Sequence, residues 1–222
     1  MNHLTIQANG GNFGLVTPEL RKSLLLTKWI IQFAPPRSLN PWSSPQCNVI
    51  FIDGAAEGEG RQDVSFGAVL FSPFLDRPQF FGLKASSELV QYWQGQGSKQ
   101  VICQAEIFPA ILAKRTWRKI LYGCRNLWFI DNESAREGFV KSYSTSWSAR
   151  ELLLLGKLED ARSDSLDWYT RVPTAANWAD SPSRLDFSKM HEIGAVQVRP
   201  DVPTLEEIRD VDVIAELRRV IQ

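Results

Sequence analysis

Four carboxylates stand in contexts that call for a partner. Asp53 closes the apolar run Asn48-Val49-Ile50-Phe51-Ile52 and is followed by Gly54-Ala55. Asp131 closes a second such run, Asn126-Leu127-Trp128-Phe129-Ile130. Glu106 opens a helical pattern after Gln104-Ala105, and Asp180 lies in a loop after a later strand pattern. A carboxylate at the end of a buried strand is costly unless something pairs it, and a bound cation is the usual partner. Only His3 and His191 are present, far apart, which argues against a His-rich metal site or a His-based triad. A metal here would be a hard cation held by oxygen, as Mg²⁺ is. Two Mg²⁺ ions about 4 Å apart can activate a water and stabilise the leaving oxygen of a phosphodiester. Taken singly, each acid has a plainer role. Asp53 and Asp131 could be turn residues, Glu106 a charge favoured by a helix dipole, and Asp180 a helix cap. Their joint order along the chain favours one site.

The elements that would position these groups can be read from periodicity. Strands are expected over about 47–54, 64–71, 79–83, 127–130 and 166–172, the first three as an antiparallel meander. If the first and fourth are adjacent and parallel, Asp53 and Asp131 end side by side. A helix over 105–121 would offer Glu106 from its first turn, with Pro109 near its start. Its basic side, Lys114, Arg115, Arg118 and Lys119, reads as a solvated face. Gly67-Ala68 suggests close backbone packing. A short helix follows over 133–140. Ser148-Ala149-Arg150-Glu151 reads as a capping box opening a helix to about Ala161, and Thr204-Leu205-Glu206-Glu207 as a second one. The order β-β-β-α-β-α-α-β-α implies a mixed α/β sheet with helices on both faces.

Three regions are expected. Residues 1–45 hold a poorly ordered start, a helix from Thr17-Pro18-Glu19 to about Phe33, and a Pro-rich linker. Residues 46–186 form the catalytic domain. Residues 187–222 form an extension whose amphipathic helix carries Ile208, Val211, Ile214, Leu217 and Ile221 and packs on its own domain.

Composition narrows the classes. Of 222 residues 44% are hydrophobic, enough for a sizeable core, and formal net charge is zero. Zero charge argues against strong independent nucleic-acid binding, without excluding a local basic face. No run of about 18 apolar residues suggests a membrane span. The N-terminus lacks a signal-peptide pattern, so an intracellular protein of cytoplasm or nucleus is expected. Cys47, Cys103 and Cys124, without CxxC spacing, read as buried thiols of a reducing compartment. Trp117 and Trp128 read as core, Trp147 and Trp178 as exposed enough to touch a nucleic acid.

Four segments carry a resemblance. Phe51-Ile52-Asp53-Gly54-Ala55, Gln104-Ala105-Glu106, Phe129-Ile130-Asp131-Asn132-Glu133-Ser134-Ala135, and the stretch from Val172-Pro173 through Asn177-Trp178-Ala179-Asp180 to Ser183-Arg184 resemble the catalytic segments of ribonuclease H. They look most like the ribonuclease H domains of retroelement reverse transcriptases, especially tyrosine-recombinase (DIRS-like) elements. The resemblance covers about residues 47–185, and its last segment is the most specific. It implies a ribonuclease H-like five-stranded sheet in the order 3-2-1-4-5. It also implies hydrolysis of the RNA strand of RNA–DNA hybrids by two Mg²⁺ ions, with Mn²⁺ able to substitute. Asp53, Glu106, Asp131 and Asp180 would be the catalytic metal ligands, and Asn177 would have a substrate or structural role. Asn132, Gln104 and Ser134, flanking the site, are candidate contacts to the minor-groove 2′-hydroxyls.

The sequence departs from the family in two places. Arg171 to Asp180 contains no His of the kind that aids product release in many cellular enzymes, and the stretch from Asp131 to Asp180 is too short for a basic handle. With zero net charge, a reverse transcriptase polymerase partner is expected to supply hybrid affinity, and the chain reads as a detached domain of such a protein. Two other readings keep the fold: a DNA endonuclease of resolvase or transposase type, and a non-catalytic binding module.

Overall fold

The computed structural model describes residues 46–57, 63–95 and 101–209, with Arg21, Leu24, Leu25, Thr27, Lys28, Ile31 and Gln32. The chain divides into two compact units, Met1–Pro41 with Asp212–Gln222, and Trp42–Val211. In the first, the described positions between 21 and 32 are helical, as expected, with Leu24, Leu25 and Ile31 exposed. The expected Pro-rich linker and the helix beyond Arg209 lie outside the described residues.

The second unit is built on β1 (Cys47–Glu57), β2 (Asp63–Phe71) and β3 (Gln79–Lys84), the expected antiparallel meander. Helices α1 (Ser87–Gly95), α2 (Ile102–Thr116) and α3 (Arg118–Leu121) lead to β4 (Arg125–Ile130). Helices α4 (Glu133–Lys141) and α5 (Trp147–Ser163) lead to β5 (Leu166–Arg171). A 3₁₀ turn at Thr174–Ala176, α6 (Asp180–Ser183), α7 (Ser188–Glu192), β6 (Val196–Gln197) and α8 (Leu205–Arg209) complete the unit. The sheet order is β5-β4-β1-β2-β3-β6. Strands one to five thus take the expected ribonuclease H-like order, and β6 adds a sixth strand parallel to β3. At two residues, β6 is too short to show a period in sequence. The expected boundary at 186 falls inside this unit.

Side-chain alternation along the strands splits the interior in two. Ile50, Ile52, Ala68, Leu70, Trp128 and Ile130 face α2 and α5 in the larger core. Phe51, Val69 and Phe80 point the other way, onto Val172, Ala179, Met190 and Ala195. The segment after β5 therefore covers the second face. It approaches closely at Gly67, where an added Cβ would lie 2.3 Å from the Ser183 amide nitrogen. Trp117 and Trp128 are core, as expected. Trp147 is exposed, whereas Trp178 is half-buried against Phe71.

Several local expectations are corrected. β1 does not end near Gly54 but runs on to Glu57, because β2 continues to pair with it. Helix α2 starts at Ile102 after Val101, which gives no side-chain cap, so Glu106 lies in the second turn and Pro109 in the interior. The proposed box at Ser148 does not form. The Ser148 hydroxyl accepts from the Gln104 amide at 2.7 Å, and the Glu151 carboxylate accepts from Tyr92 and Trp147. The box at Thr204 does form, with Thr204 N–H to Glu207 at 2.7 Å and Glu207 N–H to the Thr204 hydroxyl at 3.2 Å. The basic side expected over 114–119 is not simply solvated. Lys114 is buried and paired with Asp160 of α5 and Asp167 of β5, and Arg118 is paired with Glu159. Acids arriving from two later elements make that burial tolerable.

Candidate active site

Strand register sets the first two carboxylates side by side. Ile52 of β1 is level with Ile130 of β4 in a parallel pair, so the next residues, Asp53 and Asp131, emerge together. Glu106 reaches them from α2, which crosses that edge of the sheet. Ligand oxygens of Asp53, Glu106 and Asp131 all lie within 4.8 Å of one another. Asp53 and Glu106 are buried and Asp131 is half-buried.

Glu106 is brought this close by a backbone approach. Gly54 packs against the Ala105 carbonyl, which an added Cβ would meet at 2.1 Å. Pro109, four residues on, has no N–H to give that carbonyl, so α2 leaves it bare where Gly54 arrives.

The electrostatics are those of a site made for a cation. Burial, with Asp131 and Asp180 nearby, pushes Asp53 up to about 7, against the opposing effects of the Ser183 hydrogen bond and Arg184. Burial, with Asp53 and Asp131, pushes Glu106 up to about 9, against hydrogen bonds from the Gly54 N–H and the Asn132 side chain. One oxygen of Glu106 (Oε2) and one of Asp131 (Oδ1) are buried without a hydrogen-bond partner. Buried orphan acceptors are rare, and here two of them converge. An all-carboxylate donor set with free oxygens fits a hard divalent cation.

The other expected residues are placed as follows. Asp180 is the first residue of α6 and stands outside the three-carboxylate group. Its Oδ1 accepts from Arg184 Nε at 3.3 Å, and Arg184 also pairs with Glu57. Asn177 is buried, donating to the Ile52 carbonyl at 3.1 Å and lying 3.5 Å from Asp53 Oδ1. Asn132 caps α4, its Oδ1 accepting from the Ala135 N–H at 3.0 Å. Gln104 is buried, its amide bonded to Ser146 and Ser148. Ser134 is exposed in the first turn of α4.

Two residues had no assigned role in sequence. Ser183 is fully buried and donates its hydroxyl to Asp53 Oδ2. Arg184 is the cation beside Asp180. The Ser-Arg pair that ends the last resembling segment was the available signal for both.

No protein-family model and no curated protein matches the chain. Among solved structures it is similar to RNase H1 from the halophilic archaeon Halobacterium salinarum NRC-1. Identity is 17%, coverage 64% of this chain and 98% of that one, with a TM-score of 0.46. LC11-RNase H1 in complex with an RNA/DNA hybrid is 12% identical, covering 65% and 99%, with a TM-score of 0.43. The prototype foamy virus protease-reverse transcriptase is 9% identical, covering 70% of this chain and 22% of that one, with a TM-score of 0.41. Among the described residues no helix is long and apolar enough to cross a membrane.

Proposed function

We propose that this chain is a ribonuclease H that cleaves the RNA strand of RNA–DNA hybrids, leaving 5′-phosphate and 3′-hydroxyl ends. The observation that carries the reading is the convergence of Asp53, Glu106 and Asp131 from three elements, with two buried oxygens left without partners. Asp53, Glu106 and Asp131 would hold Mg²⁺, with Mn²⁺ able to substitute, and Asp180 would complete a two-ion site. Bound there, two divalent ions would supply a nucleophilic water at neutral pH and neutralise the leaving oxygen.

The chain's own residues prepare the site for that charge. Ser183 contacts Asp53 Oδ2 and Asn177 lies against Oδ1, fixing the orientation of the carboxylate. Gly54 and Asn132 do the same for Glu106. Asp53 and Glu106 would have to be deprotonated to hold a cation there, because only the carboxylate forms are ligands. Exposed Ser134 and the neighbouring Asn132 are the candidate contacts to the hybrid, while Gln104 supports the loop before α5. The retroelement context rests on the segment from Val172 to Arg184. Zero net charge supports dependence on a polymerase partner for hybrid affinity.

The test is a substrate comparison in Mg²⁺, Mn²⁺ or EDTA. Metal-dependent cutting confined to the RNA strand of a hybrid supports the reading. Cutting of duplex DNA assigns the chain to the resolvase or transposase type. Metal binding with no cutting, alone or with a polymerase domain, assigns it to the non-catalytic modules.

A further inference from the structure

The four carboxylates divide three and one, and the division has a visible agent. Arg184 follows Asp180 by four residues and lies over the same side of α6. Its Nε faces Asp180 Oδ1 at 3.3 Å while a terminal nitrogen, Nη1, pairs with Glu57. One guanidinium thus bridges the fourth carboxylate and the last residue of β1. Glu57 and Asp53 are four residues apart on one strand and share a face. The arm therefore lies along the rim of the site, and its charge is felt at Asp53. The backbone beneath cannot shift much, because α6 is pressed onto Gly67. Any rearrangement belongs to the side chain, which is half-exposed.

We infer that Arg184 is a built-in counter-cation that keeps Asp180 from the metal site until a second divalent ion displaces it, with Glu57 as the seat to which the guanidinium withdraws. This rests on the reading of Asp180 as a ligand of a two-ion site. Asp53, Glu106 and Asp131 then take the first ion without hindrance, and the second ion competes with Arg184 for Asp180. Exposed ion pairs of this kind are weak, so the competition delays the second ion without blocking it.

Binding of Mn²⁺ to the full chain, followed by the electron paramagnetic resonance signal of free Mn²⁺ at fixed pH and ionic strength, tests this without reference to cleavage. Wild type should bind two ions. In Arg184→Gln the second affinity tightens by about two- to five-fold, the scale of an exposed pair, and by more than the first. Glu57→Gln, which leaves the arm on Asp180, weakens the second ion, and does so only when Arg184 is present. Two ions bound equally by wild type and Arg184→Gln would overturn the inference and leave the ribonuclease reading standing. So would a Glu57→Gln effect that persists without Arg184, because that is a simple field effect. A wild type that binds no divalent ion would overturn both.

Discussion

The Ser183 hydroxyl donates to the Asp53 carboxylate across 130 residues of chain. It ties the last segment of the site to the first strand and orients the Asp53 carboxylate. Removing it in Ser183→Ala leaves a buried carboxylate oxygen without its donor. Outer partners of metal ligands typically matter by about 10- to 100-fold in metal affinity or activity. We expect a loss of that size in Mn²⁺ affinity, measured by calorimetry, with a folded protein by circular dichroism.

Stability should depend on pH in a direction set by the metal. In the folded, metal-free chain Asp53 and Glu106 titrate near 7 and 9, above the ordinary carboxylate range. Between the unfolded and folded values the native state binds more protons than the unfolded one, so stability falls as pH rises. In EDTA the melting temperature should therefore drop between about pH 5 and pH 9 on account of these groups. Saturating Mg²⁺ should raise it most at the alkaline end. A metal effect that is equal at both ends would contradict the assignment of these carboxylates as ligands.

Gly54→Ala should be poorly tolerated. The new methyl would sit 2.1 Å from the Ala105 carbonyl oxygen and 2.8 Å from the Glu106 nitrogen, both backbone atoms. Overpacking of this kind costs about 1–3 kcal/mol. Urea denaturation should show that loss. Metal affinity should fall with it, since α2 must move away from Asp53 and take Glu106 along.

Lys114 supports the fold, away from the site. Burial would lower its pKa, but the carboxylates of Asp160 and Asp167 hold it charged. Burial likewise raises Asp167, yet Lys114 and Asn126 bring it down to about 2. Asp167 therefore contributes stability above the ordinary Asp pKa, lost as pH falls through its folded value. Lys114→Ala should cost about 3–5 kcal/mol at pH 7, because it strands buried acids. The cost should shrink at pH 4, where those acids can take up protons, and guanidinium melts at the two pH values would show it.

Much of this was open to a reader of the sequence. Asp53 and Asp131 each close an apolar run, and two parallel strands in register must bring such residues together. The meander follows from the same alternation, whereas the order of strands one to five came from the resemblance to ribonuclease H. Glu106 was evident by type but not by position, because α2 begins at Ile102 after Val101, which gives no capping side chain. Lys114 looked solvated because its partners, Asp160 and Asp167, come from elements 46 and 53 residues away. The Ser183–Asp53 bond had no local signal, since nothing in either segment specifies the other. The Arg184–Asp180 pair was legible only as i,i+4 spacing, on a helix four residues long. β6 is fixed by pairing with β3 rather than by its own two residues.

The central claim is that Asp53, Glu106 and Asp131 form a metal-dependent centre that hydrolyses RNA in a hybrid. The most direct measurement is cleavage of an RNA–DNA hybrid end-labelled on the RNA strand, by wild type and Asp53→Asn, in Mg²⁺ and in EDTA. The prediction is RNA-strand products with wild type in Mg²⁺, none in EDTA, and none with Asp53→Asn. Cleavage of equal rate by Asp53→Asn, or by wild type in EDTA, would contradict it.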